Sequence, residues 1–333
     1  MNQQAIPART GKRSHLYIRI GTVLVAIFAL CTLAMMWWWN EEPATFDPVA
    51  VAKETAQAKG QRIVPGIVTG ITLVNVANVL LDKRGGYLSN DKLPPGVLLD
   101  NLPNWEYGVL TQVRDLSKAF RNDFSRSQTQ SVEDPDLTEA DPLFSSPNDR
   151  WLLPSSERQF GKGIAHVEGY LARLADTSQN THFYARADNL ADWLALVEKR
   201  LGSLSQRLSA AAGQVAPAPS ENGEATAGPV FERTPWLKID DVFYEARGST
   251  WALLHFLKAV QADFEPVLRD KNAQASLAQI IHELEETQGA LHSPMVLNGT
   301  PFGFFANHSL VMANYISRAN AAIIDLRLLL ERG

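Results

Sequence analysis

The chain has 333 residues, of which 45% are hydrophobic and 20% are charged. This composition excludes wholesale disorder and allows one large or two ordinary domains. The single cysteine excludes a disulfide framework, a four-cysteine zinc site and a Cys-X-X-Cys redox pair. Residues 1–40 carry four basic residues and no acid, and the other 27 basic and 36 acidic residues give the remainder a net charge of −9. An acidic body without a basic stripe argues against nucleic-acid binding and against adhesion to anionic lipid.

The first predicted element is a transmembrane helix over Ile20–Trp39, a run of twenty residues without a charge. A helix of that length spans ~30 Å, the thickness of the hydrocarbon core of a bilayer. The four basic residues precede the run, and Glu41, Glu42 and Asp47 follow it. The positive-inside rule therefore predicts that residues 1–19 form a cytoplasmic tail, with the indole rings of residues 37–39 at the far interface.

A cleaved signal peptide, a lipoprotein signal and a buried core helix are the alternatives to an uncleaved anchor. A buried core helix rarely carries such one-sided basic flanks. No small-x-small cleavage site follows the run, and Leu30, rather than a small residue, precedes Cys31. The interpretation is therefore a bacterial inner-membrane protein with one crossing, which leaves its C-terminal part in the periplasm of a Gram-negative host. A cysteine-free exported part suits an oxidising compartment.

A second uncharged run covers Ile63–Leu81, but Pro65, Gly66 and Gly70 interrupt it. No basic cluster or aromatic belt marks its ends. The prediction is a buried or membrane-apposed helix of a soluble body, and not a second crossing; contact with the membrane stays open.

Residues 40–150 are predicted to form juxtamembrane helices and loops. Asp47 followed by Pro48 is typical of a helix start, and Gly60 is a plausible end. Residues 83–96 are predicted to form a turn-rich loop. Residues 125–154 contain four prolines and are predicted to form a long connection. Between them, apolar residues at three- and four-residue spacing predict one face of a helix: Trp105, Val109, Val113, Leu116, Phe120 and Phe124.

Residues 151–212 and 235–333 are predicted as two parts of a helical bundle, joined by a flexible linker over residues 213–234. Ser156 with Gln159, and Ser276 with Gln279, fit capping boxes. Each part contains a long heptad-like apolar seam: Phe183, Leu190, Leu194, Val197, Leu201, Leu204 and Leu208 in the first, and Met312, Ile316, Ala319, Ile323, Leu326 and Leu330 in the second. No strand alternation of convincing length occurs. The predicted fold class is all-α, with two halves that pack together because neither seam is stable in water alone.

No phosphate-binding loop, nucleophile elbow or metal-binding signature occurs, so no cofactor and no metal are predicted. Asp241 and Glu245 are the weak catalytic candidates, because carboxylates one helical turn apart raise each other's pKa and can share a proton. Asp240 and Asp241 also stand where a helix start favours acids, and this capping interpretation is preferred.

Histidines give two weaker candidates. His282 and Glu286 have the spacing of metal ligands, but a solvated polar face explains them better. His308, with Ser309 beside it and His255 elsewhere, suggests a base and a nucleophile, although no acid lies near it in the sequence and Ser or Asn at a helix start is typical of an N-cap.

Five tryptophans follow the membrane run. Trp193 and Trp251 lie within helical patterns and are predicted to be core residues. Trp151 and Trp236 stand beside prolines at element boundaries, where packing against the core or a loop is preferred over an exposed partner site.

Four segments carry a resemblance to a known family: residues 85–115, 183–210, 239–260 and 307–327. They resemble an uncharacterised family of proteobacterial membrane-anchored proteins, a domain of unknown function of the DUF2333 type. The likeness runs from about residue 45 onward. It implies a membrane-anchored protein of unassigned activity and transfers no site residue.

Two hypotheses of function follow. The first is a non-enzymatic envelope scaffold or interaction module that contacts a protein partner or a second copy of itself, and binds no nucleic acid. The second is an envelope hydrolase acting on cell-wall material with Asp241 and Glu245 as acid and base.

Overall fold

The computed structural model describes residues 11–128, 130–211, 213–216, 230–232, 234–293, 295–300 and 304–332. These residues form eleven α-helices, which confirms the all-α prediction. In chain order the helices are α1 Gly11–Trp39, α2 Pro48–Ala58, α3 Ile67–Asp82, α4 Asn101–Ala119, α5 Pro135–Phe144, α6 Ser156–Ala175, α7 Ala187–Ala210, α8 Ile239–Asp263, α9 Glu265–Asp270, α10 Gln274–Glu286 and α11 His308–Glu331.

Helix α1 stands apart from the remaining helices, which we call the body. Within its segment His15–Trp39, which has 25 residues, the most apolar 18-residue window has a mean hydropathy of 2.3, and 0% of that window is buried. The segment is long and apolar enough to cross a bilayer. The predicted run Ile20–Trp39 is therefore one N-terminal apolar helix that qualifies as a membrane span.

Helices α2 and α3 begin the body. The Asp47 carboxylate accepts a hydrogen bond from the backbone N–H of Val49 at 2.9 Å, and α2 ends before Gly60 at φ +62°, as predicted. Helix α3 packs against α6 and α8, and its Leu73 and Val76 are fully buried. The second uncharged run is thus a buried helix of the body, which confirms that interpretation.

Helices α4 and α8 form the closest packing in the body. A Cβ placed on Gly108 would lie 2.1 Å from the carbonyl oxygen of Glu245, and one on Gly248 would lie 2.0 Å from that of Trp105. Only glycine allows backbones to approach this closely. The two helices run in the same direction.

Helices α7 and α11 carry the two predicted seams and pack on each other, except that Phe183 lies in the loop before α7 and not in the helix. Leu201 and Leu208 of α7, and Ile316 and Ile323 of α11, are fully buried. The helices are antiparallel, because the Ser205 hydroxyl donates to the carbonyl of Ala313 while the Arg327 side chain pairs with Glu198. The two halves of the bundle therefore pack together, as predicted.

Two connections differ from the prediction. Residues 125–154 contain helix α5, in which Asp134 caps the N-terminus and Pro135 takes the first turn, where its missing N–H costs nothing. At the ends of the predicted linker, two strands, β1 Gln214–Ala216 and β2 Val230–Glu232, pair antiparallel. Three-residue strands are too short to produce a visible alternation. The rest of the linker, residues 217–229, lies outside the described residues.

Both predicted capping boxes are wrong. Helix α6 is capped by Ser155, whose hydroxyl accepts from the Arg158 N–H, while Ser156, the buried first residue of the helix, donates to the carbonyl of Pro147 in the preceding loop. Helix α10 begins at Gln274 without a side-chain cap, so Ser276 lies inside it. The backbone turn from α9 decides this start, because the N–H of Ala273 donates to the carbonyl of Leu268.

Candidate functional site

The segment between α1 and the body, residues 40–47, is docked on α8, and we call it the strap. Glu42 receives hydrogen bonds from the Arg247 guanidinium, with Nη2 at 2.6 Å and Nε at 2.9 Å. Arg247 is buried, and its Nη1 donates to the carbonyls of Thr287 at 3.2 Å and Gly289 at 2.9 Å. The ion pair is therefore surrounded by acceptors that replace the lost hydration of the guanidinium.

The far end of the strap is held by His255. The backbone N–H of Phe46 donates to Nε2 of His255 at 3.0 Å, and the two rings stack with centroids 4.0 Å apart. Nδ1 of His255 donates to the carbonyl of Trp251 at 2.6 Å. Burial lowers the pKa of His255 to about 4. This histidine is a neutral structural acceptor at neutral pH.

The end of α1 also contacts the loop after α3. A Cβ on Gly85, which has φ +82°, would lie 2.7 Å from the Trp39 ring. Arg84 pairs with Glu41, and its guanidinium lies 5.9 Å from the centre of the Trp38 ring. The last turn of α1, unlike its apolar centre, thus belongs to the packed structure.

This loop closes around one buried carboxylate, that of Glu106 in α4. Glu106 accepts the backbone N–H groups of Leu88 and Ser89, each at 2.8 Å, and pairs with Lys83. Burial raises the pKa of Glu106, and the Lys83 ammonium opposes that rise. Sequence reasoning missed this group, because its partners are loop groups that no spacing rule connects to it.

Of the two predicted acids of α8, Glu245 lines a cleft of about 320 Å³ between α4, α7 and α8, whereas Asp241 does not. The Arg207 guanidinium binds both oxygens of Glu245, with Nη1 at 2.7 Å. The carboxylate of Asp241 accepts from the Asn104 amide at 2.9 Å and lies 3.0 Å from the Lys238 ammonium. A general acid or base has to reach substrate with its carboxyl group, and here both carboxylates are engaged by neighbouring side chains.

The histidine candidates are divided between a cavity and the surface. His282 is an exposed residue of α10, in agreement with a polar face. His308 and Glu286 line a cavity of about 340 Å³ between α8, α10 and α11, together with Arg247. Nδ1 of His308 accepts the N–H of Leu297 at 2.9 Å, and burial lowers the pKa of His308.

Two further predictions concern the start of α11 and metal binding. Asn307 is the N-cap of α11, as expected for an Asn at that position. Within the described residues, no group of three His, Cys, Asp or Glu side chains could hold a metal ion.

The tryptophans separate into two groups. Trp193 and Trp251 are fully buried, as predicted. Trp151 and Trp236 are 49% and 72% exposed, so the prediction that they pack is wrong. Trp151 stands in the loop before α6, and Trp236 begins a short 3₁₀ helix, Trp236–Lys238, directly before α8. Exposed indole rings add apolar area to the surface, and exposed apolar area is typical of interaction sites.

A comparison with protein families gives one match to this chain. A family model described as an uncharacterized protein conserved in bacteria (DUF2333) matches residues 11–333. No curated protein and no solved structure matches.

Proposed function

Since the chain belongs to the DUF2333 family of uncharacterised bacterial proteins, we propose its function from its architecture: it is a single-pass inner-membrane protein that holds an all-helical body in the periplasm. The body acts there by contacting other proteins, as an envelope scaffold or interaction module. The observation that carries the proposal is the apolar segment His15–Trp39, none of whose most apolar window is buried. Such a surface is stable only in lipid.

Retention of α1 in the mature protein is supported by the junction, by which we mean the contacts that the last turn of α1 and the strap make with the body. Trp39 packs on Gly85, and Glu42 and Phe46 are bound by α8. A signal peptide is discarded after export, so the body of an exported protein has no need to pack against its last turn. The residues that follow the apolar run therefore serve as a docked connection to the membrane.

The proposed orientation rests on charge. Arg9, Lys12, Arg13 and Arg19 precede the apolar centre of α1, and acids follow it. Basic residues are retained on the cytoplasmic side during insertion. The body is then periplasmic, where the absence of cysteine after Cys31 avoids mispairing.

Two observations support a function in protein contacts. The carboxylates of Asp241 and Glu245 are already bound by neighbouring side chains, and the body carries a net negative charge. The two apolar seams pack on each other within the chain, so a partner or a second copy would have to use other surfaces. Crosslinking of the full chain in membranes tests this proposal: a reproducible partner or oligomer supports it, and a monomer without partners contradicts it.

The topology has a separate test. Fusion of a reporter that is active only in the periplasm after residue 333 should give activity, and the full chain should resist extraction from membranes at alkaline pH. An inactive fusion, or release into the soluble fraction, would contradict the proposed topology.

The hydrolase alternative keeps Asp241 and Glu245 as its candidate pair. Its test compares Asp241→Asn and Glu245→Gln with a deletion strain. If deletion has a cell-envelope phenotype and both variants restore growth fully, the pair is not catalytic.

A further inference from the structure

One end of the body faces the point where α1 meets the strap, and several helices of the body begin or end there. Helix α3 ends at Asp82, three residues before the Gly85 that packs against Trp39. Helix α8 begins at the same end, because Glu42, the strap residue nearer to α1, binds Arg247, whereas Phe46 reaches His255 two turns further along. Helix α4 runs parallel to α8, with Asn104 bound to Asp241 and Gln112 bound to Ser249, so it also begins there.

Helices α6 and α11 begin at this end as well. The Asn90 amide, in the loop after α3, donates to the carbonyl of Arg150 and to the Glu157 carboxylate in the first turn of α6, each at 2.8 Å. The ring of His308, the first residue of α11, lies 6.3 Å from the ring of Phe243 near the start of α8. We call the described residues directly before four of these helices the anchor-proximal loops: 91–100 before α4, 150–155 before α6, 234–238 before α8 and 304–307 before α11.

Each anchor-proximal loop exposes large apolar side chains. Leu93 is 66% exposed, Leu153 84%, Trp236 72% and Phe304 107%. Leu152, Leu237 and Phe305 beside them are also exposed. At the opposite end of the body, the described loops expose Ile63 and Val132. Apolar surface concentrated on one end of a water-soluble body marks an interaction site.

We propose that the anchor-proximal loops insert into the interfacial layer of the same bilayer that α1 crosses. The body then stands on the membrane with the N-termini of α4, α6, α8 and α11 toward the lipid. This proposal rests on the proposed membrane anchor. The strap is bound to α8 at Glu42 and at Phe46, which leaves no long free tether. The end of the body that carries Trp39 is therefore held at the lipid surface. A bilayer interface accepts the side chains that this end exposes, since tryptophan and leucine partition into it.

The contact is apolar in character. Exposed charges of both signs lie on or next to these loops, and they balance: Arg84, Lys92, Arg150 and Lys238 against Glu41, Asp82, Asp100 and Asp149. Without a net basic patch, attraction to anionic headgroups contributes little. Zwitterionic phosphatidylcholine vesicles are therefore a sufficient probe.

The test uses the full chain in phosphatidylcholine vesicles that contain a lipid with a nitroxide near the headgroup. In a Cys31→Ser background, Leu153→Cys and Leu237→Cys carry an environment-sensitive fluorophore, and Val132→Cys is the matched control at the opposite end. We expect blue-shifted emission and several-fold stronger quenching at 153 and 237 than at 132. A separate sample labelled at the native Cys31, with nitroxide deeper in the acyl chains, reports insertion of α1.

The outcomes separate the two proposals. Quenching at Cys31 without quenching at 153 and 237 overturns the inserted loops and leaves the anchor intact. No quenching at Cys31 overturns the anchor itself. Blue-shifted labels at 153 and 237 that lipid nitroxide does not quench, and that respond to the protein-to-lipid ratio, mean that a second copy covers this end, which also overturns the proposal.

Discussion

Helices α1 and α3 are both built from long uncharged runs, but the molecule places them in opposite surroundings. Val25 of α1 is 68% exposed, whereas Leu73 of α3 is fully buried between α6 and α8. Their polar groups differ in the same way. The Thr22 and Thr32 hydroxyls of α1 donate to carbonyls one turn earlier in their own helix, each at 2.9 Å.

In α3 the Thr72 hydroxyl also donates to its own helix, to the carbonyl of Val68, but the backbone N–H and the hydroxyl of Thr69 both donate to the Asp263 carboxylate of α8, each at 2.7 Å. A helix that satisfies its own polar groups can enter lipid, while a helix whose polar groups need a neighbour is committed to a protein interior. Hydropathy alone does not make this distinction.

The largest difference between α1 and α3 should appear in the effect of placing an aspartate in the middle of each helix. Leu73→Asp buries an unpaired carboxylate at a cost of several kcal/mol, comparable with the total stability of a domain, so the body should not fold. Val25→Asp should leave the thermal unfolding of the body unchanged and weaken membrane insertion by about 2.5–3.5 kcal/mol. Circular dichroism and alkaline extraction measure the two effects. Loss of the folded body in Val25→Asp would contradict the separation of α1 from it.

The junction that joins the two environments should be the next most sensitive place. Arg247→Met leaves Glu42 without its partner, and we expect a loss of about 3–5 kcal/mol in the free energy of unfolding. Arg269→Met is the control, because Arg269 and Glu265 form an exposed pair worth about 0–1 kcal/mol. Denaturant unfolding in detergent micelles measures both. Equal losses in the two variants would show that the strap is not a stabilising contact.

The junction should also respond to pH through His255. The folded pKa is lowered to about 4 from 6.5, so below pH 6.5 the unfolded chain binds a proton that the folded histidine does not. Stability falls with a slope of up to about 1.4 kcal/mol per pH unit, for a total of about 3 kcal/mol by pH 4. Other buried acids titrate in this range, so the measured quantity is the difference between the wild type and His255→Gln. A difference that is constant with pH would contradict the assignment.

The smallest expected change in stability comes from an alanine substitution at a helical glycine, with a second helical glycine as the control. Gly248→Ala forces α4 and α8 apart, because its Cβ would meet the Trp105 carbonyl at 2.0 Å, and should cost about 1–3 kcal/mol. Gly21 of α1 has nothing within 4 Å, so Gly21→Ala should leave the unfolding of the body unchanged. Thermal unfolding of both variants checks this. A stable Gly248→Ala protein would mean that the two helices can separate without cost.

Periodicity predicted the helices of the body well, because an apolar face is a local pattern. All six predicted face residues from Trp105 to Phe124 are fully buried. It missed α5, since prolines that normally break helices here occupy a first turn and a last turn. It also missed the strap contact, because Glu42 and Arg247 are 205 residues apart in the chain.

By itself the sequence determined that the protein has one span suited to a membrane and a helical body, because run length, flanking charge and helical spacing are properties of neighbouring residues. Only the tertiary structure decided which helices cover the second uncharged run, which tryptophans are exposed, and that Glu245 and Asp241 are engaged by other side chains. Those outcomes depend on surfaces that distant helices bring together, since burial and pairing are measured between elements and not along the chain.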